Sequence, residues 1–486
     1  MGASELKTAV ARTLKWNAID RVCSQVLYAV TGIVLANILT REEYGLVGAV
    51  MVFQAFAQLF IDSGFASALL QRKSPTRLDY STVLWFNLGM AAVLYMLLFA
   101  ASPWIAEIFQ GDPRIVPLGR VLFISFIINA AGIVQTNILM KSMDVRMVAV
   151  GNAAGLFAGS VVGIALAVLG FGAWAIVWQT LTLAIVRTSV LWFTSSWRPL
   201  WRFSWSVLRG FFGVSSGVMA TSLLTTLFQN IYSLLIGNRS GLVPLGYFTQ
   251  ADKWSKMGIM SISQTLTSSF LPLLSEVQDQ PERYRAICGK THRFTAYLLI
   301  PVMILLVIAA DPIFHTLFGD KWDGAIPLFR ILCVRGIFVV LGLQYSNYIL
   351  SLGHSRMLVT SEIVRDGAAL IMMIPTFHYM SAGVEGLYTF FLWQTVASAV
   401  AWVVLLRFVV RVTGRGFLAW LGDLVPYIAV TTVAAIPCFW IPGSGFGAFA
   451  QCVLTGGTFC GVYILINMIT GSKQQKDVMG YILKKK

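Results

Sequence analysis

The run Lys15-Trp-Asn-Ala-Ile-Asp-Arg-Val-Cys-Ser-Gln-Val-Leu-Tyr-Ala-Val-Thr-Gly-Ile-Val-Leu-Ala-Asn-Ile-Leu39 decides how the rest of the chain is read. It is apolar enough to cross a bilayer and has the length, since a span takes about 20 residues at ~1.5 Å rise each. Yet Asn17, Arg21, Ser24, Gln25, Tyr28, Thr31 and Gly32 recur at spacings of three and four, which on a helix makes one polar stripe. A membrane helix with such a stripe and an arginine turns that face toward other helices or toward water, not toward lipid. The remaining spans are read as the walls of that interior.

Composition agrees. The chain has 486 residues, 57% hydrophobic and 12% charged, with a mean hydropathy of +0.75. A soluble domain carries about 25% charged residues, so this is an integral membrane protein. Its apolar runs are far longer than the roughly ten-residue alternating segments of a barrel strand, so the spans are helical. The first apolar run lacks a cleavage site and is too long for a signal-peptide core, so it is expected to stay as the first span. The six cysteines form no CxxC pair, and neither a disulfide frame nor a metal site is suggested. The net charge of +15 is read as a loop bias of a membrane protein, with no nucleic-acid partner.

About 14 spans are counted, near 16–39, 44–65, 81–106, 118–140, 148–169, 173–195, 211–236, 243–270, 293–314, 325–351, 356–378, 383–406, 417–440 and 446–469. With both termini cytoplasmic, 24 of the 36 Lys and Arg fall on cytoplasmic segments and four on the opposite side. That asymmetry sets the orientation. Connections are short, leaving no room for a soluble catalytic domain.

The chain also repeats itself at an offset of about 200 residues. Span 1 leads into Thr40-Arg-Glu-Glu-Tyr-Gly45, and span 7 into Asn238-Arg-Ser-Gly-Leu-Val-Pro-Leu-Gly-Tyr247. The turn Gly170-Phe-Gly-Ala-Trp-Ala-Ile-Val-Trp-Gln179 is echoed by Ala382-Gly-Val-Glu-Gly-Leu-Tyr-Thr-Phe-Phe-Leu-Trp-Gln394. The expected fold is all-α: an N-lobe of spans 1–6 (1–195), a cytoplasmic linker (196–210), a C-lobe of spans 7–12 (211–410), then spans 13 and 14 with a basic tail (411–486). Paired repeats around a midplane site are transporter architecture.

Polar stripes recur on span 2 (Gln54, Gln58, Asp62), span 7 (Ser215, Ser222, Thr225, Thr226, Gln229, Ser233) and span 8 (Gln250, Lys253, Met257, Met260, Gln264, Ser268). Interhelical hydrogen bonding, worth about 0.6–2 kcal/mol per contact, accounts for isolated Ser and Thr. It accounts poorly for the intramembrane bases Arg21, Arg120, Arg187, Lys253, Lys256, Arg330, Arg335 and Arg365, each costing about 2.5–3.5 kcal/mol at a helix centre. Arg120 and Arg187 sit where they can snorkel. On span 11, Glu362, Arg365 and Asp366 can pair within one helix. A cavity with surplus positive charge favours an anionic passenger, Arg supplying a fork for phosphate and Lys a point charge. Depth and face select Asn17, Arg21, Gln25, Gln54, Gln58, Gln229, Lys253, Lys256, Gln264, Arg335 and Arg365 as candidate substrate-binding residues. Asp62, Asp252 and Glu362 are candidates for coupling to a transported ion. No catalytic constellation is present, the four histidines are scattered, and Asp320-Lys-Trp-Asp323 reads as a capped external loop.

At these residues the chain resembles a known family. Lys15-Trp-Asn through Arg41-Glu-Glu-Tyr-Gly45, then Asp62-Ser-Gly-Phe-Ala-Ser-Ala-Leu-Leu-Gln-Arg72-Lys73, looks like the start of the Wzx-type polysaccharide flippases, WzxC-like branch. Pro244-Leu-Gly-Tyr-Phe-Thr-Gln-Ala251, Leu271-Pro-Leu-Leu-Ser-Glu276 and Phe318-Gly-Asp-Lys-Trp322 resemble later signatures of that branch. The resemblance covers nearly the whole chain. It places the chain in the multidrug/oligosaccharidyl-lipid/polysaccharide exporter superfamily, whose members have two six-helix lobes in a V. It implies a non-enzymatic flippase for an oligosaccharide on undecaprenyl diphosphate, in a bacterial inner membrane, working by alternating access. No cofactor is implied beyond a transported coupling ion, H+ or Na+; polysaccharide polymerase and glycosyltransferases are the implied protein partners. The rival readings are a lipid II flippase, a multidrug exporter, whose cationic drugs call for an acidic cavity, and a membrane-embedded glycan polymerase or ligase, which usually needs a large external loop.

Overall fold

The computed structural model describes residues 3–62, 69, 72, 74–142, 144–441 and 445–476. These residues are almost wholly helical and contain no strand. The helices are α1 (Ala3–Ile38), α2 (Arg41–Asp62), α3 (Arg77–Ile108), α4 (Ile115–Leu122), α5 (Ser125–Lys141), α6 (Val145–Val168), α7 (Trp174–Thr194), α8 (Trp205–Arg239) and α9 (Leu242–Glu276). They continue with α10 (Pro281–Ile308), α11 (Ala310–Leu317), α12 (Ile326–Ser351), α13 (Ser355–Thr376), α14 (Gly383–Thr413), α15 (Phe417–Gly422), α16 (Val425–Ala435) and α17 (Ala448–Ile469).

Among the described residues ten stretches are long and apolar enough to cross a membrane, and one of them, Met357–Thr413, holds two of the expected spans. The three expected spans outside those stretches are spans 2, 7 and 8, each with a polar stripe, and all three are helical as α2, α8 and α9. The protein is therefore an all-α polytopic membrane protein. The helices outrun the apolar runs: α1 begins at Ala3, and α8 and α9 have 35 residues each. At ~1.5 Å per residue, 35 residues reach about 52 Å, beyond the roughly 30 Å hydrocarbon layer.

The chain forms two compact units, Met1–Gly246 and Tyr247–Lys486. In the first, the most extensive helix pairing is α6 with α7. Gly151, Gly155, Gly159 and Gly163 repeat every four residues along one face of α6, and α7 lies in the trough they leave. A Cβ at Gly155 would stand 2.8 Å from the Leu183 carbonyl oxygen, and one at Gly159 2.7 Å from that of Gln179. Small residues let membrane helices approach where no hydrophobic force separates protein from lipid. An adjoining face of α6 receives α1, where Thr31 Oγ1 donates to Ser160 Oγ at 2.6 Å.

At the end of this unit read as external, Thr40 and Glu43 cap α2 reciprocally: Glu43 Oε2 accepts the Thr40 amide at 2.7 Å, and Thr40 Oγ1 accepts the Glu43 amide at 3.3 Å. The first turn of α2 then crosses the first turn of α9. A Cβ at Gly45 would overlap the Leu242 carbonyl oxygen, and one at Gly246 would overlap that of Arg41. Each glycine thus makes room for the carbonyl four residues before the other. Asn238 Nδ2 donates to the Ile108 carbonyl at 2.7 Å alongside. The expected Tyr-Gly and Gly-Tyr turns are where this crossing forms.

In the second unit α10, α12 and α14 form the packed centre. Tyr284 Oη donates to the Tyr348 carbonyl at 2.8 Å, and the hydroxyls of Thr291 and Tyr348 lie 2.9 Å apart. At the end read as cytoplasmic, α14 stops at Gly414, whose φ of 65° suits glycine. Arg285 Nε donates to the Thr413 carbonyl there at 3.0 Å. Asp423 accepts from Arg293 at 3.1 Å and from Arg415 at 2.5 Å. Trp420 of α15 is wholly buried, with ring centroids 4.9 Å from His292, 5.8 Å from Tyr345 and 5.7 Å from Tyr348. That anchor seats α16 and α17, which with the turn between them bury Ala434, Cys438, Phe459 and Tyr463 against Tyr297 and Ile304 of α10. Their remaining faces stay apolar and exposed, as expected of helices embedded in lipid.

Candidate functional site

The polar stripe of α1 divides between two surroundings. Thr31 and Gly32 are buried against α6, while Asn17, Arg21 and Tyr28 are exposed. Val22, Val26 and Val30 are exposed on another face. Asp20 joins the two regions: its carboxylate accepts Asn152 Nδ2 of α6 at 3.0 Å and Ser24 Oγ at 3.3 Å. Both donors are neutral, so neither balances its charge. Arg187 of α7 packs against α6 at Gly155, where a Cβ would stand 3.1 Å from Arg187 Cβ. Its Nε is buried with no hydrogen-bond partner among the described residues. The guanidinium of Arg146 covers the Trp16 ring at 5.4 Å. Among the described residues Arg21 forms no ion pair.

Sequence reasoning did not place Asn152 or Arg146 at a site, and it left Arg187 as a snorkelling residue. The readable signal was the four-residue glycine spacing of α6, which marks the face that must touch a helix.

Gln54 and Gln58 of α2 face α5: Gln54 Nε2 donates to Ser125 Oγ at 3.4 Å, and Asn129 Nδ2 donates to Gln58 Oε1 at 3.4 Å. Gln25 is half-buried and Gln229 of α8 exposed. Asp62 closes α2; its side chain, like those of Ser215, Thr225 and Ser268, lies outside the described residues. Arg120 donates through Nε to Ser102 Oγ at 2.9 Å and stacks on the Phe99 ring at 4.2 Å.

In the second unit Lys256 pairs with Asp252 one turn earlier, N to O 2.7 Å. Lys253, adjacent to that acid in sequence but on another face, forms no ion pair among the described residues; its ammonium lies 5.2 Å from the Trp254 ring centroid. Gln264 is exposed on the same helix. Arg335 Nε of α12 donates to Ser398 Oγ of α14 at 3.1 Å. Arg365 is held by Glu362 and by Asp366, the latter at 3.0 Å, and Glu362 also accepts Ser346 Oγ at 3.4 Å. Arg330 bonds Asp311 and the Val307 carbonyl. Among the described residues the embedded bases thus differ in their surroundings. Lys256, Arg330 and Arg365 are neutralised locally by acids, and Arg120 and Arg335 donate to serine hydroxyls, whereas Arg21 and Lys253 form no ion pair there.

A family model described as polysaccharide biosynthesis protein matches residues 34–327. The succinoglycan biosynthesis transport protein ExoT of Rhizobium meliloti (strain 1021) is 25% identical over 469 residues, covering 95% of this chain and 93% of its own length. The lipopolysaccharide biosynthesis protein WzxC of Escherichia coli (strain K12) is 24% identical over 330 residues, covering 68% of this chain and 67% of its own. A solved structure described as "Lipid II flippase MurJ, inward closed conformation" superposes with a TM-score of 0.77 over 95% of this chain and 99% of that one. Its identity is 13%, so the likeness is one of fold.

Proposed function

The chain belongs to the polysaccharide biosynthesis protein family, and from that premise we propose that it is a flippase for a polyprenyl-diphosphate-linked oligosaccharide. Undecaprenyl diphosphate is the carrier we assign, moved from the cytoplasmic to the outer leaflet of a bacterial inner membrane, with both termini cytoplasmic. The observation that carries the reading is electrostatic. Arg21 and Lys253 sit in membrane helices, and neither forms an ion pair among the described residues. A base left in hydrocarbon costs about 2.5–3.5 kcal/mol on insertion scales. A hydrated path that admits a diphosphate removes that cost and uses the charge, the arginine fork engaging phosphate oxygens in pairs.

The sequence repeat supports two lobes, 1–195 and 211–410, that alternate access between the leaflets. The sugar follows the diphosphate along the polar faces carrying Asn17, Gln25, Gln54, Gln58, Gln229, Gln264, Arg335 and Arg365, while the prenyl tail stays in lipid. Lys256 completes the basic set, tempered by Asp252. No bond is made or broken and no cofactor is used. Coupling to a proton or sodium gradient is assigned to Asp62, Asp252 and Glu362. Polysaccharide polymerase and glycosyltransferases are the partners that would take up and supply the passenger.

Reconstituted vesicles test this. Outward movement of a lipid-linked oligosaccharide is read by access of an external lectin to the sugar. Arg21→Ala and Lys253→Ala are each expected to lower the rate at least ten-fold with normal membrane insertion. Wild-type rates for both variants would remove the electrostatic basis of the reading.

A further inference from the structure

The segment between α7 and α8, expected to be a plain linker, is fastened along its length to the first turns of α3. Leu200 donates its amide to Ser81 Oγ at 2.8 Å, and its carbonyl accepts Trp85 Nε1 at 2.8 Å. The Arg198 carbonyl accepts Arg77 Nε at 3.0 Å, and the Ser204 amide donates to Thr82 Oγ1 at 3.3 Å. The Trp85 and Trp201 rings pack with centroids 4.7 Å apart, tilted by 31°. With its backbone tied to one helix, the segment packs Trp197 and Leu208 inward. Arg198 Nη1 donates to the Ser195 and Trp197 carbonyls at 2.6 and 2.9 Å, and other side chains turn outward. Trp201 is 88% exposed and Trp205 72%, and they alternate with the exposed Arg198, Arg202 and Arg209.

Two facts say what covers this strap. It lies where α7 ends at Thr194 and α3 begins at Arg77, so two spans meet the water layer there, which is the level of the lipid headgroups. Nor does the sequence contain any Asp or Glu between Asp144 and Asp252, so the arginines of the strap have no acid on their own stretch. The nearest acid on the helix beneath, Asp79, is buried and bonded to Arg72 at 3.1 Å. Tryptophan at the headgroup level with arginine beside it is the chemistry of an anionic lipid surface.

We propose that residues 196–209 form a binding surface for anionic phospholipid headgroups of the leaflet on the basic side, with Arg198, Arg202 and Arg209 holding the phosphates and Trp201 and Trp205 seated among the glycerol backbones. The surface is separate from the substrate path and does not depend on the identity of the passenger. Each arginine near a charged leaflet contributes about a five-fold preference for anionic lipid.

The full-length protein is exchanged into nanodiscs of phosphatidylcholine and phosphatidylglycerol, and the lipids that stay bound on release are counted by native mass spectrometry. The wild type is expected to retain phosphatidylglycerol in excess over its share of the disc. The triple variant Arg198→Gln/Arg202→Gln/Arg209→Gln is expected to lose that excess at least ten-fold, and the triple lysine variant to keep most of it. If the glutamine triple variant does not fold, Arg202→Gln alone carries the test with an expected loss of about five-fold, since Arg202 makes no hydrogen bond among the described residues. Unchanged retention in a folded glutamine variant overturns the proposal. So does equal competition by inorganic phosphate, which would make this a soluble-anion site. So does loss of retention in the lysine variant, which would tie the effect to guanidinium packing.

Discussion

Replacing Gly159 by alanine, with Gly151→Ala as its internal control, tests whether the α6–α7 seam is a backbone contact. At Gly159 the added methyl stands 2.7 Å from the Gln179 carbonyl oxygen and 3.3 Å from the Leu183 amide nitrogen. Ordinary contact begins near 3.4 Å, so the helices must part by about 0.7 Å, and neither atom belongs to a side chain that can rotate away. Overpacking of this kind costs about 1–3 kcal/mol. At Gly151 the nearest atom is 3.6 Å away, which is ordinary contact, and alanine there gains up to about 1 kcal/mol from helix propensity. The two variants should therefore differ by about 2 kcal/mol, with Gly159→Ala the less stable. Denaturant unfolding in mild detergent, followed by tryptophan fluorescence, measures the difference. Equal stabilities, or a more stable Gly159→Ala, would refute the seam. Gly155→Ala should resemble Gly159→Ala in stability, because its methyl meets the Leu183 carbonyl oxygen at 2.8 Å and Arg187 Cβ at 3.1 Å.

Trp420→Ala should cost about 3–5 kcal/mol, as removing a large buried ring does; a loss under 1 kcal/mol in the same unfolding assay would show that α15 is not the anchor of α16 and α17. A pH effect is expected at the loop between α3 and α4, where hydrogen bonding to Arg114 holds the Asp112 carboxyl below the usual carboxylate range. A depressed folded value means that this stabilisation is complete above the unfolded value near 3.9 and is lost as pH falls toward the folded one. The stability gap between wild type and Asp112→Asn should accordingly shrink as pH drops from about 5 to 3, and a constant gap would show that Asp112 contributes nothing through its charge.

The spans were legible because twenty apolar residues in a row have few physical uses. Helix ends were less so: α1 continues through polar residues to Ala3, where hydropathy carries no signal and helix propensity decides. The Asp252–Lys256 pair stands in the sequence at a four-residue spacing, but that spacing alone does not tell a paired lysine from one that faces the passenger. Gly151, Gly155, Gly159 and Gly163 also stood in plain order, yet their partner helix could not be known. Least readable was the fastening of Leu200 to Ser81 and Trp85, because hydrogen bonds between residues more than a hundred positions apart leave no periodic trace. Arg187 shows the same limit, since its setting against Gly155 depends on two helices meeting.

The crossing of α2 over α9 has a mechanical meaning. Gly45 lies on the Leu242 carbonyl and Gly246 on the Arg41 carbonyl, so main chain bears on main chain with no rotamer to act as a cushion. Such a joint cannot loosen by degrees. It holds as a pair of interlocked notches or comes apart by moving stiff rods, and a single methyl at either notch would act as a wedge driven into both.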